Sequence, residues 1–382
     1  MTSTAKFYDS IDIQLLFLEQ LKEVPLEKID ATINNLREFI FKEGQKQKVI
    51  YGIGEGRSAL ALYDFLHQLL RYDQIFPATL DDPIRRYFDP DRDNMIIAAS
   101  GSGTTESVIS YLEDAHRLGA KEILITAKSE STAYKKVIAE NGFSFLMEDI
   151  QLEKPSKLAV MGSEFELKLC TFLNCILPAL DSGDNKFYYE QIDHFLKNAR
   201  LLKGIDKEYL RSWIDKLLTR RGHFIVDGVG RSGFVAKAFG MRLTHLGLHV
   251  YIKGDATTPS FIRGDVYIPV SGSGDTREIL DGMKKARKSG VDIFPITVNE
   301  NSKIVEYMTE WGNEDNIIFI PVEKDDMSIF SDQNPSKIST SKMNQIRPSY
   351  SEINSYIFTN AVIASAIDFL GVEEKYMQRK HW

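Results

Sequence analysis

Cysteine is nearly absent: the chain has two in 382 residues, Cys170 and Cys175. Their spacing in a helical pattern puts them off one another's face, which argues against a disulfide or a metal pair and for buried packing residues. Histidine is scarce too, with seven residues; His67, His116, His194, His223 and His249 show neither clustering nor metal spacing, so they read as surface or packing residues and no metal is expected. Positive charge is in deficit. Lys and Arg total 47 against 54 Asp and Glu, a net charge of −7, which argues against nucleic acid as the main partner. No window approaches the roughly 18 to 20 uninterrupted apolar residues of a membrane span, and the stretch from Met1 to Tyr8 is polar, unlike a signal peptide. These absences predict a cytoplasmic protein with no membrane partner. With 43% hydrophobic and 26% charged residues, the chain has the balance of a soluble globular protein, and its length suits two domains.

What is present occurs twice. Ser100-Gly101-Ser102-Gly103-Thr104-Thr105 returns 171 positions later as Ser271-Gly272-Ser273-Gly274-Asp275-Thr276. Each loop follows an apolar run and precedes an amphipathic stretch that stops at Gly119 or Gly290. That is strand, loop, helix in both places. Glycines let the backbone approach a ligand, first-turn N–H groups point at it, and hydroxyls add donors. A serine or threonine that only capped a helix would need one hydroxyl, whereas each loop offers at least three. An oxyanion, most often a phosphate, is the expected ligand.

The repeat extends further. A strand-like run ending in glycines precedes each loop, from Val49 to Ser58 and from Phe224 to Gly233, and another strand closing on threonine follows it, Glu122 to Thr126 and Asp292 to Thr297. Strands alternating with helices at this spacing predict right-handed βαβ units. The expected fold class is α/β, with two tandem three-layer α/β/α domains, 1–187 and 188–382, each holding a mainly five-stranded parallel sheet flanked by helices. Each half opens with helical segments (Ile11 to Lys42; Tyr189 to Thr219) and closes with an apolar helix carrying a glutamate near its start, Glu166 or Glu352. Read locally, Gly228-x-Gly230-x-x-Gly233 with Asp255 is also a dinucleotide fingerprint. Arg57 replaces its third glycine in the first half, and the fingerprint gives no reason for a second Ser-rich loop, so no cofactor is expected.

These residues carry a resemblance to the sugar isomerase (SIS) domain family. From about residue 200 onward the chain is similar in detail to the 6-phospho-3-hexuloisomerases: Gly228 to Gly247 almost residue for residue, then Thr257-Thr258-Pro259, the loop Ser271 to Thr276, and the terminal Arg379-Lys380-His381. The chain stops short of that group's usual Asn-Leu-Glu tail, which implies a more open site there. The first half keeps Gly52, Gly54, Arg57, Ser58, the loop Ser100 to Thr105, and Met161-Gly162-Ser163-Glu164-Phe165-Glu166, which resembles the Met-Gly-Thr-x-Phe-Glu opening the family's last helix. It has Arg71 where the second half has His245, and nothing matching His381. The second half in turn reads Arg347-Pro348-Ser349-Tyr350-Ser351-Glu352 at the glutamate pattern. Each half is incomplete where the other is intact.

The resemblance implies isomerisation of a phosphorylated sugar through an enediol, without metal or nicotinamide. It makes Glu166 and Glu352 the candidate bases, His245 and His381 the candidate acids or ring-openers, and Ser58, Ser100, Ser102, Thr105, Arg231, Ser232, Ser271, Ser273 and Thr276 the substrate-binding set. Carboxylates and imidazoles suit such work because burial moves their pKa toward neutrality, although an acidic residue also favours a helix's first turn with no catalytic role. A composite site joining Glu166 to the second half's His245, in a homodimer of four SIS domains, is expected. A hexulose phosphate, another hexose phosphate such as glucosamine 6-phosphate, and a non-catalytic sugar-phosphate sensor all stay open. Sensors of this class commonly carry a DNA-binding helix-turn-helix, for which the residues before Val49 lack a basic cluster. The polar segment Glu323 to Arg347 reads as a loop or lid.

Overall fold

In a computed structural model, which describes residues 4–44, 46–79, 88, 91–149, 163–323, 349–372 and 376–377, the chain forms two parallel sheets flanked by helices. The first sheet holds β1 (Lys48–Gly54), β2 (Ile75–Thr79), β3 (Asp93–Ser100), β4 (Lys121–Thr126) and β5 (Phe143–Leu146) in the order β2-β1-β3-β4-β5. Every residue of β1 is buried. A parallel strand covered on both faces reads as a continuous apolar run, not an alternation, and Val49 to Ile53 follows that rule. The second sheet repeats the order with β6 (Phe224–Gly228), β7 (Val250–Ile252), β8 (Val266–Ser271), β9 (Asp292–Ile293), β10 (Ile296–Thr297) and β11 (Ile318–Phe319), arranged β7-β6-β8-β10-β11 with β9 beside β8.

The strand expected from Asp292 to Thr297 is therefore two pieces. Pro295 lacks the N–H a ladder needs, yet its carbonyl accepts from Ile318 N at 2.8 Å and Phe294 N donates to the Tyr267 carbonyl at 2.9 Å. Pairing passes through the break, so the fourth strand position is kept.

Helices α1 (Ala5–Glu19), α2 (Leu26–Phe41), α3 (Gly56–Leu69), α4 (Glu106–Arg117), α5 (Thr132–Ala139) and α6 (Ser163–Ser182) accompany the first sheet; α7 (Lys186–Leu201), α8 (Lys207–Leu218), α9 (Arg231–His245), α10 (Arg277–Lys288), α11 (Lys303–Glu310) and α12 (Tyr350–Phe369) accompany the second. Leading helices are exchanged between halves. On one side α1 packs on α12: the Phe7 and Phe358 rings meet edge-on at 5.4 Å, and Gln14 Nε2 donates to the Ile357 carbonyl at 3.1 Å. On the other α7 packs on α6, with Phe172 and Tyr188 5.8 Å apart and Tyr188 Oη donating to the Leu21 carbonyl at 3.0 Å. Between the sheets α3, α6, α9 and α12 meet, and Phe234 stacks on Tyr356 at 5.3 Å. One buried apolar cluster runs through both halves, and a smaller one covers the outer face of each sheet. An interface this apolar holds two units as one body.

Strand register positions the site. Gly54 lies opposite Ala99 and Gly228 opposite Val270, so the loops after β1 and β3, and after β6 and β8, rise side by side where the strand order reverses. In open parallel sheets ligands bind in that crevice. No helix among the described residues is long and apolar enough to cross a membrane.

Candidate active site

Both Ser/Gly loops sit over these reversals with the same internal bonding. Ser100 is buried, its Oγ accepting from Gly103 N at 3.0 Å and lying 2.9 Å from Thr105 Oγ1. Ser271 repeats this with Gly274 N at 3.2 Å and Thr276 Oγ1 at 3.4 Å. Gly103 and Gly274 have φ of +63° and +70°, and a Cβ on them would stand 2.1 Å from Ser131 Oγ and 2.3 Å from Ser302 Oγ. Only glycine lets the loop fold so closely onto the next helix start. The first serine and second glycine of each loop thus shape it.

The second serine of each loop lies nearer the surface. Ser102 is exposed and Ser273 half-buried, each Oγ held by the backbone N–H two residues on, at 3.2 and 3.3 Å. Thr105 and Thr276 occupy the N-cap positions of α4 and α10 without a side-chain capping bond. These groups surround first-turn N–H groups that have no intrahelical partner, at the positive end of a helix dipole. Ser58 is buried and Ser232 half-buried, both in the first turn of the helices after β1 and β6.

Beside the first loop lies an ion pair. A Cβ on Gly101 would stand 3.1 Å from the Phe165 ring, so the loop abuts the start of α6, which carries Glu166. Arg57 Nη2 stands 3.8 Å from Glu166 Oε2; the side chains are 3% and 14% exposed. That Oε2 is buried and has no hydrogen-bond partner among the described residues. Burial pushes the Glu166 carboxyl up to about 7 against the opposing pull of Arg57. Arg57 is fixed from three sides: Nη1 donates to Ser163 Oγ at 3.3 Å, Nη2 to Asn360 Oδ1 at 3.2 Å, and Nη2 also to Tyr356 Oη. A second guanidinium reaches the same serine from the other half, Arg242 Nη2 donating to Ser163 Oγ at 3.3 Å, and Arg242 Nη1 lies 3.5 Å from His245 Nδ1. Burial lowers the Arg242 pKa to about 9. Two cations and one near-neutral carboxyl favour an anion at this place.

Known proteins resemble this chain in sequence and in fold. A family model described as the SIS domain matches residues 217–340. The 3-hexulose-6-phosphate isomerase of Methanocaldococcus jannaschii is 32% identical over 197 residues, covering 50% of this chain and 96% of that enzyme. The chain belongs to the SIS family. A protein of the same name from Mycobacterium gastri is 33% identical over 164 residues, covering 43% of this chain and 74% of its own. The tagatose-6-phosphate ketose/aldose isomerase of Escherichia coli shares the fold across 94% of each chain, with a TM-score of 0.59 and 13% identity. Two SIS units in one chain account for the two sheets.

The SIS repeat produces a mirror of the Arg57 cluster. Arg231 Nη1 donates to Ser349 Oγ at 2.8 Å and its Nε lies 4.0 Å from Glu352 Oε1, while Ser351 Oγ donates to Glu352 Oε2 at 2.8 Å. The first half supplies Asp64, Gln68 and Asn174: Ser349 Oγ lies 3.5 Å from both Asp64 oxygens, Gln68 Nε2 donates to Asn174 Oδ1 at 2.7 Å, and Asn174 Nδ2 donates to Asp64 Oδ2 at 2.8 Å. Burial raises Asp64 to about 6, with Arg231 opposing. Here two carboxyls face one arginine, the reverse of the charge balance around Arg57.

Both clusters are composite, and the structure brings Glu166 and His245 to one of them through Arg242 and Ser163. Glu352 and Arg231 form the other. His381, Met161, Gly162 and the segment 324–347 lie outside the described residues. Arg242, Asp64, Tyr356 and Asn360 were not singled out from sequence, although Arg242 and Gln68 each stand eleven residues after a paired arginine. His67, read as surface or packing, is exposed and lies across from Gly230, whose added Cβ would stand 3.8 Å from His67 Nε2. The dinucleotide reading of Gly228 has a packing explanation, since a Cβ there would meet Ser232 O at 2.6 Å.

Proposed function

We propose that this SIS protein is a 6-phospho-3-hexuloisomerase, interconverting arabino-3-hexulose 6-phosphate and fructose 6-phosphate, with the Arg57 cluster as its catalytic site. The observation that carries the reading is Glu166: a buried carboxyl with a pKa near 7, whose Oε2 faces Arg57 and accepts no hydrogen bond among the described residues, beside the first Ser/Gly loop. A base poised near neutrality takes and returns protons most effectively.

In this reading the substrate phosphate lies on Ser102, Thr105 and the first turn of α4. Glu166 removes the proton from C2, and the electron pair forms the C2–C3 double bond as the C3 carbonyl becomes an enediol oxygen. Arg57 and Arg242 stabilise the negative charge that develops there. His245 moves the proton between the two sugar oxygens, and Glu166 delivers its proton to C3, leaving the carbonyl at C2. No external oxidant or metal enters the balance. The matches to 3-hexulose-6-phosphate isomerases support the substrate class. We take 1–187 and 188–382 as the two SIS copies, acting in a cytoplasmic homodimer; the two free, buried cysteines suit a reducing compartment.

Incubation with fructose 6-phosphate in D2O tests the reading. Conversion to a 3-ketose phosphate with deuterium entering at the carbons beside the carbonyl is expected. An aldose phosphate as product would change the substrate, and no exchange at all would favour a sugar-phosphate sensor.

A further inference from the structure

At the opposite edge of the first sheet from the Ser/Gly loops, three side chains from three elements converge. His116 lies in the last turn of α4, Glu122 near the start of β4 and Glu140 at the C-cap of α5. His116 Nδ1 stands 3.7 Å from Glu122 Oε1 and 3.5 Å from Glu140 Oε2, and the three ligand atoms all lie within 4.8 Å of one another. A tetrahedral ion about 2.1 Å from nitrogen and oxygen ligands sets them about 3.4 Å apart. Two edges of that figure already have close to this length.

Burial points the same way. The Glu122 side chain is 3% exposed, and neither of its carboxylate oxygens has a hydrogen-bond partner among the described residues. A carboxylate in that state is costly unless a cation meets it. Glu140 is oriented by Lys136, whose Nζ lies 3.2 Å from Oε1, which leaves Oε2 toward His116. Gly142 leaves room, since a Cβ there would stand 3.1 Å from Glu122 Oε2. A cavity of about 430 Å³ lined by all three side chains gives an ion its path from solvent.

We propose that His116, Glu122 and Glu140 form a binding site for a divalent transition-metal ion of the zinc class, separate from the isomerase site. One imidazole and two carboxylates suit a borderline ion, whereas magnesium and calcium take all-oxygen shells. Water fills the fourth position. The ion joins α4 to β4 and α5, and so fixes the far end of the helix whose N-cap is Thr105.

Full-length protein dialysed against a chelator is titrated with zinc alone by calorimetry, and with cobalt followed by visible absorption. One ion per chain in the micromolar range, with the intense cobalt bands of a four-coordinate site, is expected. His116→Ala and Glu140→Gln, both on partly exposed side chains, each weaken zinc at least tenfold with the fold unchanged by circular dichroism. Absence of binding up to millimolar zinc in the parent protein overturns the proposal. So does tight binding that both variants retain. The parent titration decides even where a variant misfolds.

Discussion

Glu166→Gln separates catalysis from structure because the structure fixes its sign in two assays. In turnover, loss of a general base costs about 10² to 10⁴, which is ~2.7 to 5.5 kcal/mol in the barrier at ~1.36 kcal/mol per decade. In the proposed reading the phosphate sits on the loop and not on Glu166, so KM should change little. In stability the effect runs the other way. The carboxyl ordinarily titrates at 4.5 and in the fold at about 7, so the folded state holds its proton to higher pH than the unfolded chain. Stability therefore falls as pH rises from about 4.5 to about 7, and stays lowered above that. The difference corresponds to about 3 kcal/mol at ~1.36 kcal/mol per pH unit. Glutamine resembles the protonated acid, so the variant should match the parent near pH 4 and exceed it at pH 8 by up to about 3 kcal/mol, a rise of several degrees in Tm.

The assays are steady-state turnover of fructose 6-phosphate and thermal unfolding at both pH values. In the parent, kcat/KM should rise through pH ~7 as Glu166 ionises. Turnover within threefold of the parent at pH 8 refutes the base assignment. A lowered Tm at both pH values refutes the electrostatic reasoning, because it makes Glu166 a structural partner of Arg57.

Glu352→Gln should reduce turnover by less than tenfold, since Glu352 is already bonded by Ser351 and faces Arg231 beside Asp64; a loss as large as that of Glu166→Gln would place the chemistry in the second cluster, and equal halving by both would mean two independent sites. Ser102→Ala should weaken fructose 6-phosphate binding at least tenfold by calorimetry, because a hydrogen bond to a charged group contributes about 1.5 to 3 kcal/mol. Ser273→Ala, in the loop of the second half, reports whether that loop is also occupied, and unchanged affinity in both removes the loops from the clamp.

The strand-loop-helix repeat was legible in sequence because its determinants are local. Glycines at positive φ, serines that bond the loop to itself and apolar runs buried on both faces lie within a few residues of one another. The sheet order follows from those units. The helix exchange was not legible, because the contacts of Phe7 with Phe358 and of Tyr188 with Leu21 join residues far apart in the chain and any apolar helix face would read alike. The site was legible in part. Ser102, Thr105 and Glu166 stand out by motif or resemblance, but Arg242 looked like one cation in an apolar stretch until α9 packed against α6. His116, Glu122 and Glu140 have no recognisable spacing, since a short turn from α4 to β4 and the longer stretch through β4 and α5 bring them together. Pro295 could have warned that the strand around it was interrupted.

Duplication explains why the two clusters differ in charge. In a symmetric pair of identical SIS units each site draws the same residues from both, so one substitution changes two sites at once. Within one chain the copies are free to diverge, and matching positions show where they have: Gln68 against Arg242, Asp64 against Ala238, Arg71 against His245. The shared residues are those that build the frame, with Arg57 and Arg231, Ser163 and Ser349, Glu166 and Glu352, Asn174 and Asn360 in corresponding places. Asp64, Gln68, Arg242 and His245 come from helices α3 and α9, which meet between the sheets, while Arg71 lies just past α3 and pairs with Asp181 of its own half. Arg242 adds a cation where Glu166 waits with an open oxygen, and Asp64 adds an acid where Arg231 already meets Glu352. Attraction for an anionic substrate thus rises at one cluster and falls at the other. Packing is spared, because both exchanges occur among side chains held by Ser163 or Ser349. The asymmetry lies in electrostatics carried by a common scaffold, so reverting Asp64 and Gln68 toward their counterparts changes the charge of the second cluster without requiring a new backbone.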